Sequence, residues 1–329
     1  MGMKRRTFLQ TAAALAAPDG GQLMTVRGPV AATTMGVMLA HEHLFSNFGQ
    51  APEEPGRYDE RALLAAVAPY ARRVRELGCA TIVDGTAAWF GRNPRLLREI
   101  SQQTGLNILT NTGYYGAAQD RYVPAHARTD TVDRLAERWL TEWREGIGGT
   151  GIRPGFLKIG VDGGALSEID RKLVTAAART HRQSGLAIAV HTGENERAAL
   201  EQLAILKAEG VKGEAWIWVH ANKARDLAAL RQAAESGAWI SLDGLDPETM
   251  GRHLELALQM KEWGRLKQVL LSHDGNSFRA GGRQPMRGYT TLFTDFMPLL
   301  RQSGFTQDEV RWMTAANPAS AYQVRPRLR

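Results

Sequence analysis

GFLKIGVDGGALSEIDRKLVTAAARTHRQSGLAIAVHT, residues 155–192, is the stretch that decides the architecture. It opens with a short apolar run, GFLKIGV (155–161), and passes through a glycine-bearing turn into an amphipathic segment from Ser167 to Gly185. There Ser167 and Asp170 have the spacing of a capping box, and Leu173, Val174, Ala177 and Ala178 line up as one apolar stripe. Gly185 supplies the stop. A second apolar run, LAIAVHT (186–192), follows at once. A strand, a helix and a strand in that order call for parallel pairing through a crossover.

The same rhythm extends in both directions. Strand-length apolar runs precede it at GVMLAHEH (36–43), CATIVDGT (79–86) and NILTNTGYY (107–115), and follow it at AWIWVHA (215–221), AWISLDG (238–244) and KQVLLSHD (267–274). Helical patterns between them end at Glu76-Leu77-Gly78, Ala208-Glu209-Gly210, Glu235-Ser236-Gly237 and Glu262-Trp263-Gly264. Eight such units predict an α/β fold of the closed (β/α)8 TIM barrel type, with helical stretches near 290–304 and 306–313 completing the ring. An open doubly wound sheet is the alternative. No G-x-G-x-x-G follows the first strand, which argues against its dinucleotide-binding form. Barrels use about 250 residues, and no low-complexity linker divides the 329 residues here, so 21–329 reads as a single domain.

Composition fits a large packed core: 43% of residues are apolar and 23% charged. No run of about 18 apolar residues is present to span a membrane. The single cysteine, Cys79, excludes an internal disulfide and reads as a small buried side chain. The net charge of +7 comes from basic residues interleaved with acidic ones, as in ERALLAAVAPYARRVREL (60–77). That is a solvated helix face and not a stripe for nucleic acid. Residues 1–20 stand apart. Arg5-Arg6 ahead of Phe8-Leu9 and a small-residue apolar stretch resemble a twin-arginine export signal, with cleavage expected near Ala12–Ala14 or Ala14–Ala16. Export to the periplasm in the folded state follows from that reading, and a cytoplasmic protein if the segment is only a basic tail.

The chemistry-bearing side chains fall at strand ends. The first strand ends His41-Glu42-His43, where alternation turns both imidazoles toward the barrel axis and Glu42 outward. The fourth carries Lys158 in an apolar run, the fifth ends in His191, the sixth in His220 and the eighth in His273-Asp274. Any one of these alone is ordinary: a strand-end histidine is usually a hydrogen-bonded core residue, and a lone lysine can snorkel or pair with a buried acid. In a barrel, however, the carboxyl ends of the strands open on one face, so the six residues His41, His43, Lys158, His191, His220 and Asp274 would converge. His126, His181 and His253 lie in polar helix or loop context and are expected to be solvated.

GVMLAHEHL (36–44), the run 91–115, GTGIRPGFLKIGVDGG (149–164), AVHTGE (189–194) and LLSHDG (270–275) together resemble the conserved blocks of the phosphotriesterase family of the amidohydrolase superfamily. The likeness covers about residues 23–323, with Met38 where a threonine is usual. It implies a hydrolase with two divalent metal ions at the carboxyl face, Zn2+ in the first place and Mn2+ or Co2+ as alternatives. His41, His43 and Asp274 would hold the more buried ion and His191 and His220 the more exposed one. Lys158, carrying carbon dioxide as a carbamate, and a hydroxide would bridge both, with Asp274 accepting the nucleophile's proton. These residue types suit that chemistry, because imidazole and carboxylate ligate such ions whereas an ammonium cannot. No G-x-S-x-G elbow offers a serine alternative.

Substrates in this family are phosphotriesters, lactones and other esters, chosen by the loops after the strands. Candidate contacts are the aromatic residues Trp89, Phe90, Tyr114 and Tyr115 and the arginines Arg279, Arg283 and Arg287, which would suit an anion or be plain exposed loop charges. Two departures matter. Gly244 stands where related phosphotriesterases have a histidine and related lactonases an arginine, and Lys223 stands in place of a relay aspartate. The expectation is therefore an ester or lactone substrate, with phosphotriesters as a side activity. An amide-type C–N hydrolase and a non-catalytic metal-binding barrel are the alternatives. Relatives are often dimers, so a homodimer is expected, though no feature of this chain carries it.

Overall fold

The computed structural model describes residues 21–193, 195–282 and 287–329, so the expected export segment and Arg283 lie outside the described residues. A hairpin of β1 (Gln22–Thr25) and β2 (Gly28–Ala31) comes first, and β3 (Val37–Glu42), α1 (Glu60–Glu76), β4 (Cys79–Asp84) and α2 (Pro94–Thr104) begin the alternation. The third barrel strand is broken at Thr110 into β5 (Asn107–Leu109), which pairs with β4, and β6 (Asn111–Thr112), which pairs with the next strand. Then come α3 (Ala125–Thr129), α4 (Val132–Glu145), β7 (Phe156–Gly160), α5 (Glu168–Ser184), β8 (Ala187–His191) and α6 (Glu196–Ala208). The series ends with β9 (Trp216–Val219), α7 (Leu227–Glu235), β10 (Trp239–Leu242), α8 (Met250–Glu262) and β11 (Val269–Leu271).

Parallel pairing runs from β3 through β5 and from β6 through β11. The seam between β3 and β11 closes by backbone hydrogen bonds just beyond the last strand: Asp274 N–H donates to His41 O at 3.1 Å and His43 N–H to Gly275 O at 2.8 Å. The buried Glu42 carboxylate clasps the same seam, accepting from the Ser272 hydroxyl, the Gly275 amide and both the amide and Nδ1 of His273. Glu42 thus points away from the barrel axis, as expected from the sequence, and into protein. His273 is consumed by this clasp.

Strand alternation sorts the core into two layers. Met38, Val83, Leu109, Phe156, Ala187, Ala189, Ile217, Val219, Trp239 and Leu270 fill the barrel, while Leu39, Ile82, Ile108, Leu157, Ile188, Trp218 and Ile240 pack outward under the helices. The β1–β2 hairpin and Tyr322 plug the amino-terminal end, with Leu23 among the interior residues and the Tyr322 hydroxyl donating to Ala40 O at 2.8 Å. The expected capping box at Ser167 and Asp170 is present, and Gly185 ends α5 at φ +74°. After β11, π-helical turns at Leu292–Phe296 and Trp312–Ala316 lead into α9 (Met297–Gln302) and α11 (Asn317–Tyr322), with α10 (Gln307–Arg311) between. Pro298 and Pro318 follow these turns; a proline lacks the N–H that would continue the α-helical ladder, which favours the wider turn.

Two histidines expected at the surface are buried. His253 uses Nδ1 toward Thr249 O and Nε2 toward Asp243 O. His181 on α5 is fully buried, with Nδ1 2.9 Å from Leu186 O and Nε2 accepting from the Arg327 amide at 2.9 Å. Polar neighbours in sequence hid the fact that these positions face the strands and the C-terminal segment. His126 is half-buried against Tyr114.

The His181 arrangement needs the neutral ring, because one nitrogen donates and the other accepts, and burial lowers its pKa to about 4. The unfolded chain takes up this proton near pH 6.5, the folded one only near 4, so stability falls as pH drops between those values, by on the order of 3 kcal/mol. Denaturant unfolding of wild type and His181→Gln across that range should show a shallower pH slope in the variant. Parallel slopes would contradict the assignment.

Candidate metal centre

Simple alternation would turn two of the converging histidines the wrong way, and local backbone devices re-aim them. In β3, Met38 and Ala40 face the interior. An extra residue between Leu39 and Glu42 relative to β4 then rotates His41 inward. In β9, Val219 already points inward, and His220 follows it into the site by adopting φ +67°. Asp274, on the same side of its segment as the inward Leu270, also has a left-handed backbone, at φ +52°. Left-handed non-glycine residues cost about 1–3 kcal/mol each and are kept where surrounding contacts fix them. Lys158 and His191 need no such device, as they continue the inward faces of β7 and β8. Gly85, at the end of β4, lets the cluster form: a Cβ there would lie 2.7 Å from the His41 ring.

The six residues meet. Lys158 Nζ lies 3.2 Å from His41 Nε2, His220 Nε2 lies 2.8 Å from His191 Nδ1, and Asp274 Oδ1 lies 3.4 Å from His43 Nε2 and 3.8 Å from His41 Nε2. Behind them stands a residue the sequence reading passed over. Asp243 is fully buried, with Oδ2 2.9 Å from His41 Nδ1 and Oδ1 2.5 Å from His220 Nδ1. A carboxylate only accepts, so each Nδ1 carries the proton and each Nε2 turns a lone pair to the centre. The Ser241 hydroxyl donates to the same carboxylate. Alternation along AWISLDG does place Asp243 on the inward face with Ser241, a signal that attention to Gly244 obscured. Thr86 plays a comparable part for His43 at 2.8 Å from Nδ1.

Electrostatics make this a pocket of neutral donors beside an anion. Burial lowers His41 to about 4 and His191 well below its usual value, with Lys158 adding to both. Burial brings Lys158 down to about 8. It would raise Asp243 and Asp274, but the surrounding imidazoles outweigh it and hold both well below the usual carboxylate range. Neutral imidazole nitrogens converging with an ionised carboxylate match the ligand chemistry of Zn2+ and similar ions. The triads His41, His43, Asp274 and His41, His220, Asp243 each bring their ligand atoms within 4.8 Å of one another.

Above this floor lies a cavity of about 240 Å³, lined on one wall by Phe48, Phe90 and Tyr115 and at the mouth by Asn276, Arg279 and Arg287. Tyr115 stacks on Phe90 with centroids 4.9 Å apart and meets His191 edge-on. Trp89 and Tyr114 do not line the cavity. Tyr114 turns outward onto His126 and Trp139, since neighbours along an extended segment face opposite sides. Trp89 adopts φ +65° with its amide donated to Glu54, and the buried Arg92 clamps Glu54 and Glu142 beside it. That clamp presents Phe90 to the cavity. Lys223 is exposed, and Gly244 (φ +85°) offers no side chain.

Comparison with known proteins agrees with this architecture. Residues 21–322 match the phosphotriesterase family. The chain belongs to that family. It is 30% identical over 299 residues to the phosphotriesterase homology protein of Escherichia coli K12, covering 88% of this chain and 98% of that one. It is 23% identical to the N-acetyltaurine hydrolase of Danio rerio, covering 91% and 97%. A solved mutant of a PTE-like lactonase from Deinococcus radiodurans superposes with TM-score 0.81 at 31% identity, covering 91% of this chain and 99% of that one. The fold is accordingly the family's (β/α)8 barrel, and the chain is a hydrolase of that family.

Because Asp243 orients imidazoles from two strands at once, Asp243→Asn should weaken metal retention. A loss of about 10–100-fold in affinity is expected, read by competition with a chelator. Unchanged affinity would show that the imidazoles hold their orientation without it.

Proposed function

We propose that this chain is a two-metal hydrolase acting on a carboxylic ester or lactone. One observation carries the reading: the Lys158 amine is 1% exposed, sits among imidazoles, and forms no ion pair among the described residues. A buried ammonium in that position would be a liability, whereas a neutral amine there is a reagent. Addition to carbon dioxide forms an N–C bond, releases one proton and leaves a carboxylate-like anion.

Carbamylated Lys158 would then be shared between two cations, with His41, His43 and Asp274 holding the more buried one and His191 and His220 the more exposed one. Zn2+ suits this set best, and Mn2+ or Co2+ would replace it. When bound, the pair supplies a nucleophile from water near neutral pH and polarises the oxygen of the scissile group. The protein does the remainder. Asp243 and Thr86 aim the imidazoles, Asp274 receives the nucleophile's proton on its carboxylate, and Phe90 and Tyr115 keep bulk water from the floor.

Exposed Lys223 and side-chain-free Gly244 leave no acid–base relay behind Asp274 from those positions, so phosphotriester cleavage is a side activity. Amide hydrolysis is the second reading, favoured by the near full-length match to an N-acetyltaurine hydrolase.

Metal analysis of the purified chain should give two divalent ions. Lys158→Ala should lose them and recover in part with short carboxylates such as propionate; full activity without added acid would refute the carbamate. Asp274→Asn should lower kcat by about 10²-fold or more with little change in KM. A change confined to KM would make it a binding residue. Turnover of lactones, aryl esters, amides and paraoxon by the Zn2+-loaded protein separates the two bond classes, and no turnover of any would sink the hydrolase.

A further inference from the structure

Asp274 stands beyond the end of β11, outside regular structure, with a left-handed backbone at φ +52°. In a residue other than glycine such a conformation persists only where its surroundings fix it. Here three consecutive amides are pinned to the end of β3. His273 N–H donates to Glu42 Oε1 at 3.0 Å, Asp274 N–H to His41 O at 3.1 Å and Gly275 N–H to Glu42 Oε2 at 2.6 Å. One carboxylate thus grips the backbone on both sides of Asp274. The side chain between is delivered to His43 and His41, with Oδ1 3.4 and 3.8 Å from their Nε2 atoms.

The surroundings of Glu42 suit this grip. It is fully buried, and the Ser272 hydroxyl at 2.7 Å and His273 Nδ1 at 2.8 Å join the two amides as donors to it. His273 in turn accepts the Leu292 amide on Nε2 at 3.0 Å, so its ring is neutral with the proton on the nitrogen facing Glu42. Gly275 leaves the carboxylate its place, since a Cβ there would lie 2.9 Å from Glu42 Oε2. In Glu42→Gln a single acceptor oxygen remains, and the new amide group would face either the Gly275 N–H or the donors gathered at Oε1. One side of Asp274 would lose its hold, and a buried donor would be left unpaired.

Resting on the hydrolase reading above, we infer that Glu42 is a positioning residue for Asp274, with His273 holding Glu42 in place. Neither lines the cavity, so neither touches the substrate. The Glu42 carboxylate sets where the Asp274 carboxylate stands relative to His41 and His43. It thereby governs both the retention of a cation by that triad and the transfer of the nucleophile's proton. The run His41-Glu42-His43 supplies two ligands of the triad and the anchor of the third.

The test uses the full chain loaded with Co2+, whose visible absorption reports ligand geometry at the centre, with chelator competition and steady-state hydrolysis of phenyl acetate. Glu42→Gln should alter the Co2+ band and weaken metal retention by about 10–100-fold. At saturating Co2+ it should lower kcat by a similar factor with little change in KM. His273→Leu should move the same readouts in the same direction, and His273→Asn, whose side-chain N–H again reaches toward Glu42, should restore part of the loss. His181→Gln, in α5, is the control for lost stability: its Tm falls while the Co2+ band and metal retention stay. A Glu42→Gln protein that behaves like this control overturns the inference and leaves Glu42 a seam residue only. Where Glu42→Gln does not fold, the His273 pair decides: a wild-type band and retention in His273→Leu, or a loss that His273→Asn does not restore at all, overturns it equally. If the wild type cleaves no ester, the hydrolase reading fails, while the Co2+ band and metal retention still judge Glu42. A wild type that takes up no Co2+ removes both.

Discussion

Everything at the carboxyl end of this barrel is organised around one buried carboxylate hydrogen-bonded to two imidazoles. Asp243 accepts Nδ1–H from His41 on one side and from His220 on the other. It is itself fixed by Ser241, and His253 packs its Nε2 against the Asp243 carbonyl. With no solvent to offer a competing partner, the proton on each ring has one place to be, and the opposite nitrogens are left as converging acceptors. Lys158 and His191 complete the circle against those nitrogens. Loss of the Asp243 charge would free both rings to flip or to protonate on the wrong side, so the geometry of five strands rests on a group that touches no substrate.

The strand and helix rhythm was open to reading because hydrophobic period and glycine stops are local signals. The capping box at Ser167, the left-handed Gly185 and the eight apolar runs lie where period and turn chemistry put them. Convergence of the six polar residues was legible too, because strand ends of a barrel share one face. The means were not. Alternation in β3 and β9 would send His41 and His220 outward, and only a bulge and a left-handed residue, set by pairing with neighbouring strands, bring them in. Asp243 was overlooked for a related reason: an aspartate before glycine reads as a turn until its neighbours in space are known.

Long-range packing also decided the errors at the rim and in the helices. Tyr114 and Tyr115 are indistinguishable in sequence, yet one faces Trp139 and the other the cavity. Trp89 was the larger and more tempting aromatic residue. A clamp formed by Arg92 with Glu54 and Glu142, from segments far apart in sequence, turns Phe90 inward in its place. His181 and His253 were read by their polar neighbours along the helix, whereas their own side chains face the C-terminal segment and the end of β10.

The two ends of the barrel divide the work between rigidity and chemistry. At the amino end, interior residues from every strand pack with the β1–β2 hairpin and Tyr322 into a dry plug. At the carboxyl end the same strands give up apolar side chains for imidazoles, a lysine and carboxylates, and spend conformational energy on left-handed residues at His220 and Asp274. Such a concentration of buried polar groups survives because the hydrogen bonds are nearly all internal and the backbone beneath cannot yield. It also explains why a compact cavity accompanies the cluster. Each polar residue needs a second partner behind it, those partners occupy the space between strands and helices, and the room left above the floor is about 240 Å³.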